Sequence, residues 1–158
     1  GAQPGAGGTA ASGSTPDSAQ CPTENTIPFA KTKFVTHAGL AFGAFHRYLW
    51  KPYRAGALAS GAHGRIVAFV KAGLAAGFIA HEVRLAADDA KANPTLCRLI
   101  AAPLAEVAGT VGSAVNKLKN GDASDVTGIN NTIGTVENAA AQHGVPIQEN
   151  DNPNLNSG

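Results

Sequence analysis

The chain has 158 residues, a formal charge of +1, 15% charged residues, 6% aromatic residues and no methionine. A charge this close to neutral gives no electrostatic argument for nucleic acid, which asks for a basic stripe carrying phosphate contacts, so nucleic acid is not an expected partner. The low charged fraction predicts a surface built largely of Ala, Gly, Ser, Thr and Asn. With so few aromatics, Ala, Val, Leu and Ile must fill the core, and small side chains favour closely spaced helices.

Residues 1–20 are almost all Gly, Ala, Ser, Thr and Pro. They carry too little apolar bulk to offset the entropy of ordering, so they read as a flexible tether of the kind that follows a removed secretory signal. Residues 21–28 read as an extended strap, because Pro22 and Pro28 bias the residues before them away from helix. Cys21 lies in this strap and Cys97 far downstream, outside any zinc-ligand or redox spacing. Paired, they would staple the strap to a helix start, as disulfides of oxidising compartments do; the alternative is two unlinked thiols. The chain is therefore read as secreted or held at a bacterial cell envelope, and its Ala and Gly content fits a GC-rich bacterial source.

Residues 29–144 form the folding unit. From Phe29 to Tyr53 the residues Phe34, Ala38, Ala41, Phe45 and Tyr48 recur in steps of four and three, with Val35, Phe42 and Leu49 beside them, which predicts a packed helix ending at Pro52. Its back, with Thr36, Gly39, Gly43 and Trp50, is smooth and uncharged, suited to another subunit or to a covering helix. Residues 54–64 read as a loop. A second helix is predicted over 65–92, with Ile66, Val70, Gly73, Leu74, Gly77, Phe78 and Leu85 facing the core, and Asn93-Pro94 stops it. A third runs from Pro94 to Lys119 with a kink at Pro103. Asn120-Gly121 ends it, and Asp122 or Ser124 is expected to cap a fourth helix with Val126, Ile129, Ile133, Val136 and Ala140 inward. His143-Gly144 closes that helix, and residues 145–158 read as a polar C-terminal tail. Four amphipathic helices with short connections predict an all-α, antiparallel four-helix bundle. No charge-free stretch reaches the 18 to 20 residues or so needed to span a bilayer, so no transmembrane segment is expected.

Histidines carry the strongest functional signal. On the expected core face His81 falls among Ile66, Val70 and Leu74, and an imidazole buried there needs a partner. Folding the first two helices into a hairpin brings His37 to the level of His81, and the same folding brings Glu106 and Glu137 to about that depth. Two imidazoles helped by a carboxylate such as Glu137 would suit zinc, copper(II) or a haem-like ligand. The bland alternative for His81 is a core histidine bonded to a backbone carbonyl. A second candidate is the run His46, Arg47, Tyr48, Leu49, Trp50, Lys51, Pro52, Tyr53, Arg54. It interleaves cations with aromatics and could meet a protein partner, an envelope polymer or a membrane. Glu82, Asp88 and Asp89 read as a solvated face, and His63 and His143 as loop and helix-end residues. No nucleophile elbow surrounds Ser60, Ser113 or Ser124, and no phosphate loop occurs, so catalysis is not expected. The sequence thus predicts a binding protein holding a metal or small ligand at His37, His81 and Glu137. The alternative is a structural or interaction protein working through His46 to Arg54.

Overall fold

The computed structural model describes residues 21–150 and 152–153; the expected tether at 1–20 and the last residues of the tail lie outside them. The described chain is all helical, with no strands. In order come α1 (Ala30–Phe45), a π-helical turn (His46–Trp50), α2 (Lys51–Arg54), α3 (Arg65–Lys91), α4 (Pro94–Leu99), α5 (Ala101–Lys119) and α6 (Val126–Gln142). α1 packs on α3, α3 on α5 and α5 on α6, while the π turn reaches across to α6. This is a helical bundle with one continuous core, centred on Phe34, Phe42, Phe45, Leu49, Ile79, Leu104, Ile129 and Ile133.

Pro52 does not end the first helix, because the π turn accommodates it. Pro52 has no N–H to give to the carbonyl of Tyr48, and its ring would crowd that carbonyl in a regular α-turn. The Lys51 N–H bonds instead to the carbonyl of His46, five residues back, which widens the turn so that helix continues to Arg54. The expected third helix is broken rather than bent. Pro103 cannot donate to the carbonyl of Leu99, and the chain departs from helix at Ile100 (φ −116°), separating α4 from α5. Asn93 caps α4 as its position suggests: its side-chain oxygen accepts from the Leu96 N–H at 3.0 Å, and Pro94 takes the first turn.

Neither Asp122 nor Ser124 caps α6. Asp122 accepts a bond from the Ser124 N–H at 2.9 Å inside the preceding turn, and Asp125, at the cap position, pairs with Lys117 at 3.1 Å. At the opposite end the strap is tied by the Cys21–Cys97 disulfide, by the Thr26 N–H to the carbonyl of Ala92 (2.9 Å), and by Asn93 Nδ2 to Asn25 Oδ1 (2.7 Å).

The second helix exists as expected but is rotated about its axis. Its buried side is Phe69, Ala72, Ala75, Ala76, Ile79, Val83, Ala86 and Ala90. The residues assigned to the core by periodicity mostly face outward: Ile66 is 79% exposed, Val70 59% and Leu74 61%, with Val67 beside them at 58%. Alanines on the inner side let α1 approach closely, and that close fit outweighs the burial of bulkier side chains on the other face. α3 is long and apolar enough by length and composition to cross a membrane, yet 44% of its most apolar window is buried in the bundle.

The smooth back of α1 is covered by neither a helix nor a second subunit but by the C-terminal tail. The Asn150 N–H donates to the carbonyl of Gly39 at 3.0 Å. A methyl group at Gly39 would collide with the carbonyl of Gln148, and one at Gly43 with the carbonyl of Asn150. Val145 and Pro153 are buried at the two ends of this strip, so the glycines of α1 form the bed of a strap.

Candidate functional site

The residues expected to form one ligand site are distributed over three environments. His37 on α1 places Nδ1 2.8 Å from Glu82 Oε1 and Nε2 3.9 Å from Asp89 Oδ2. Its level along α3 is the expected one, but its partners are carboxylates rather than His81. Glu82 and Asp89 are buried, at 5% and 7% exposure, and do not belong to a solvated face; Asp88 does. Asp89 Oδ2 is buried without a hydrogen bond, and burial pushes the carboxyl above its ordinary range against the pull of His37 and Lys33. His37 thus bridges two α3 carboxylates. A metal at His37 would compete with Glu82 for Nδ1.

His81 is one residue before Glu82 and therefore points about 100° away from it. It is half-buried, on the outward face that it shares with Ile66, Val70 and Leu74, and makes no hydrogen bond or ion pair among the described residues. Glu106 is exposed on α5. Glu137 joins a different histidine altogether. Among the described residues no group of three His, Cys, Asp or Glu side chains has the geometry to hold a metal ion.

That other histidine is His46, the first residue of the π turn. Its Nδ1 lies 2.6 Å from Glu149 Oε1 and its Nε2 3.0 Å from Asn130 Oδ1, and an acceptor at each nitrogen favours the protonated ring. The bond to Glu149 is the main cause raising its pKa, opposed by partial burial. Glu137 on α6 lies against the same carboxylate. Desolvation first, then its hydrogen bond to Glu149 and the repulsion between the two, push the Glu137 carboxyl up to about 8, while His46 and the shared hydrogen bond hold Glu149 below the ordinary range despite its own desolvation. The Glu137–Glu149 hydrogen bond and the His46–Glu149 bond together fasten the tail to α1 and α6. The interaction is a latch between residues 103 positions apart in sequence, and nothing in the local pattern around His46 announces it.

The remaining residues of the aromatic and basic run form the end of the bundle where α1 turns toward α3. Trp50 and Tyr53 stack at 6.0 Å between ring centres, Arg54 lies 5.5 Å over Trp50, and Arg47 lies 5.1 Å over Tyr48 while donating to Asn152 Oδ1 at 2.9 Å. Lys51, Tyr53 and Arg54 are exposed; Tyr48 and Trp50 are half-buried against the core. The α3 N-terminus joins this end. Arg65 covers Phe69 at 4.6 Å and bonds to the carbonyls of Leu58 (3.2 Å) and Gly121 (3.1 Å), which ties α3 to the α5–α6 turn. Between α3 and α5 lies a groove of about 480 Å³ floored by Phe69 and Leu118 and edged by Ile66, Val70 and Leu74, with Arg65 and Lys119 at its rim.

Charge is segregated in the same direction. From Asn25 to His81 the sequence contains no Asp or Glu; Lys31 and Lys33 of that run lie at the far end, where Lys33 acts on Asp89, while Arg47, Lys51, Arg54, Arg65 and Lys71 lie toward the aromatic end. At this end Lys117 and Lys119 are added, and the carboxyl groups among the described residues there include Asp122, Asp125, which pairs with Lys117, and the Glu137–Glu149 pair against His46. A whole-chain charge of +1 conceals this, and the run of residues without a carboxylate is the signal in the sequence that exposes it. No protein-family model, curated protein or solved structure matches the chain.

Proposed function

We propose that the protein is an extracytoplasmic, non-enzymatic binding protein that attaches through its aromatic and basic end to an anionic component of the cell envelope. The observation that carries this reading is the concentration of cations, Trp50 and Tyr53 at one end of a bundle whose overall charge is almost nil. Cations stacked on aromatic rings keep their charge available to an outside anion while the rings shield its approach from water. The Cys21–Cys97 disulfide supports an oxidising compartment. The His37 and His46 clusters serve in this reading as internal fastenings.

Trp50 reports directly on the proposed surface. Titration of the purified protein with soluble polyphosphate should change its emission and be weakened by added salt. Lys51→Glu with Arg54→Glu should weaken binding on the order of tenfold to a hundredfold, at about 1 kcal/mol per cation removed from an anionic surface. Lys91→Glu with Arg98→Glu, at the opposite end, should leave it unchanged. Equal loss from both pairs would sink the assignment.

A further inference from the structure

Resting on that reading, we infer that the anionic partner is a lipid bilayer and that the outward face of α3's first half is the part that enters it. Ile66, Val67, Val70 and Leu74 stand 79%, 58%, 59% and 61% exposed on consecutive turns, and Gly73 beside Leu74 and Gly77 on the next turn have open space where a side chain would be. Together the four side chains present about 400 Å² of apolar surface, within the range of about 300 to 600 Å² for the largest patch of an ordinary monomer, which is often a functional one. Further along the helix the same face turns polar, with His81, Arg84 and Asp88. The face is therefore apolar only where it adjoins the basic end.

This arrangement fits a membrane surface better than a second copy of the chain. A two-fold partner on the stripe would bring two basic ends together, and the stripe is about half the roughly 800 Å² per partner that a stable interface buries. At an anionic bilayer the same cations are attracted. Lys71 and Lys119 flank the stripe at headgroup level, and Trp50 and Tyr53 occupy the neighbouring end, where amphipathic rings are favoured at the lipid–water boundary. The groove beside the stripe continues the apolar contact down to Phe69 and Leu118.

The test uses the full chain in co-sedimentation with phosphatidylcholine vesicles and with vesicles of phosphatidylcholine and phosphatidylglycerol, beside soluble polyphosphate. The variant Ile66→Ser, Val70→Ser, Leu74→Ser alters only exposed side chains; circular dichroism checks that it stays folded, and the single variant Leu74→Ser is the fallback if it does not. Strong binding to the anionic vesicles, and a loss on the order of a hundredfold in the triple variant (smaller but measurable in the single one) with polyphosphate binding intact, is the expected result. Vesicle binding that the serine variants leave untouched overturns the lipid inference and leaves the anionic-surface reading standing. Absence of binding to both vesicles and polyphosphate overturns both. A concentration-dependent dimer in sedimentation that the serine variants dissolve assigns the stripe to a second copy instead, and also overturns the inference.

Discussion

Gly43→Ala tests the tail strap, because its sign depends on whether the strap is present. On an open helix surface, replacing Gly with Ala stabilises by about 1 kcal/mol through backbone entropy and helix propensity. Gly73 is such a site, with nothing within 4 Å of the added carbon. At Gly43 the same methyl overlaps the carbonyl of Asn150. The strap must then lift, releasing the Asn150–Gly39 hydrogen bond and straining the His46–Glu149 bond beside it. Those bonds are worth about 1 and about 2 kcal/mol, so after the propensity gain Gly43→Ala should destabilise by about 1 to 2 kcal/mol. Urea unfolding at mildly acidic pH, where His46 is charged, measures both variants against the parent, and limited proteolysis should cut the tail of Gly43→Ala faster. If Gly43→Ala stabilises as much as Gly73→Ala does, the strap does not lie on α1.

The latch makes stability pH-dependent in a stated direction. His46, raised in the folded state, contributes fully below its unfolded value of 6.5 and loses that contribution as pH rises through its folded value. Glu137, raised to about 8, binds more protons folded than unfolded above 4.5, so stability also falls as pH climbs toward 8. Glu149, lowered in the folded state, acts at the acid side: its contribution is present above its unfolded value and is lost as pH falls through its folded value. The protection of the amides in residues 145–150 relative to the intrinsic exchange rate at each pH should fall between mildly acidic and mildly alkaline pH, and Glu137→Gln should flatten that fall; protection indifferent to pH would contradict the latch. Replacing both Cys21 and Cys97 by Ser should lower stability by about 4 kcal/mol on chain-entropy grounds, seen as a lower urea midpoint that reductant no longer shifts. Asn93→Ala should cost about 1 to 2 kcal/mol by uncapping α4 and releasing Asn25, and a neutral result would show the cap to be dispensable.

Local chemistry made the helices legible in the sequence; non-local fit decided the rest. Asn93-Pro94, Asn120-Gly121 and His143-Gly144 punctuate the chain because caps and stops are properties of a few adjacent residues. The orientation of α3 was not legible. Its two sides are both apolar, one bulky with Ile66, Val70 and Leu74, the other small with Ala72, Ala76 and Ala86, and periodicity cannot choose between them. Close packing against α1 chose the small side and carried His81 outward with the large one. The hairpin fixes the level of His37 in the sequence but not its partners, since Glu82 and Asp89 look solvated until an imidazole is brought to them. The His46 latch was invisible because Glu149 belongs to a stretch that reads as loose polar tail. The run from His46 to Arg54 was legible as a candidate surface, since its interleaved rings and cations are adjacent in sequence, whereas the contribution of Arg65, Lys71 and Lys119 needed the fold.

Hydrogen-exchange footprinting with soluble polyphosphate asks most directly whether the aromatic and basic end is the attachment site. Attachment there should slow exchange in residues 47–54, 65–74 and 117–121, with residues 82–100 at the far end unchanged. Protection centred on 82–100, or none at a polyphosphate concentration that alters Trp50 emission, would contradict it.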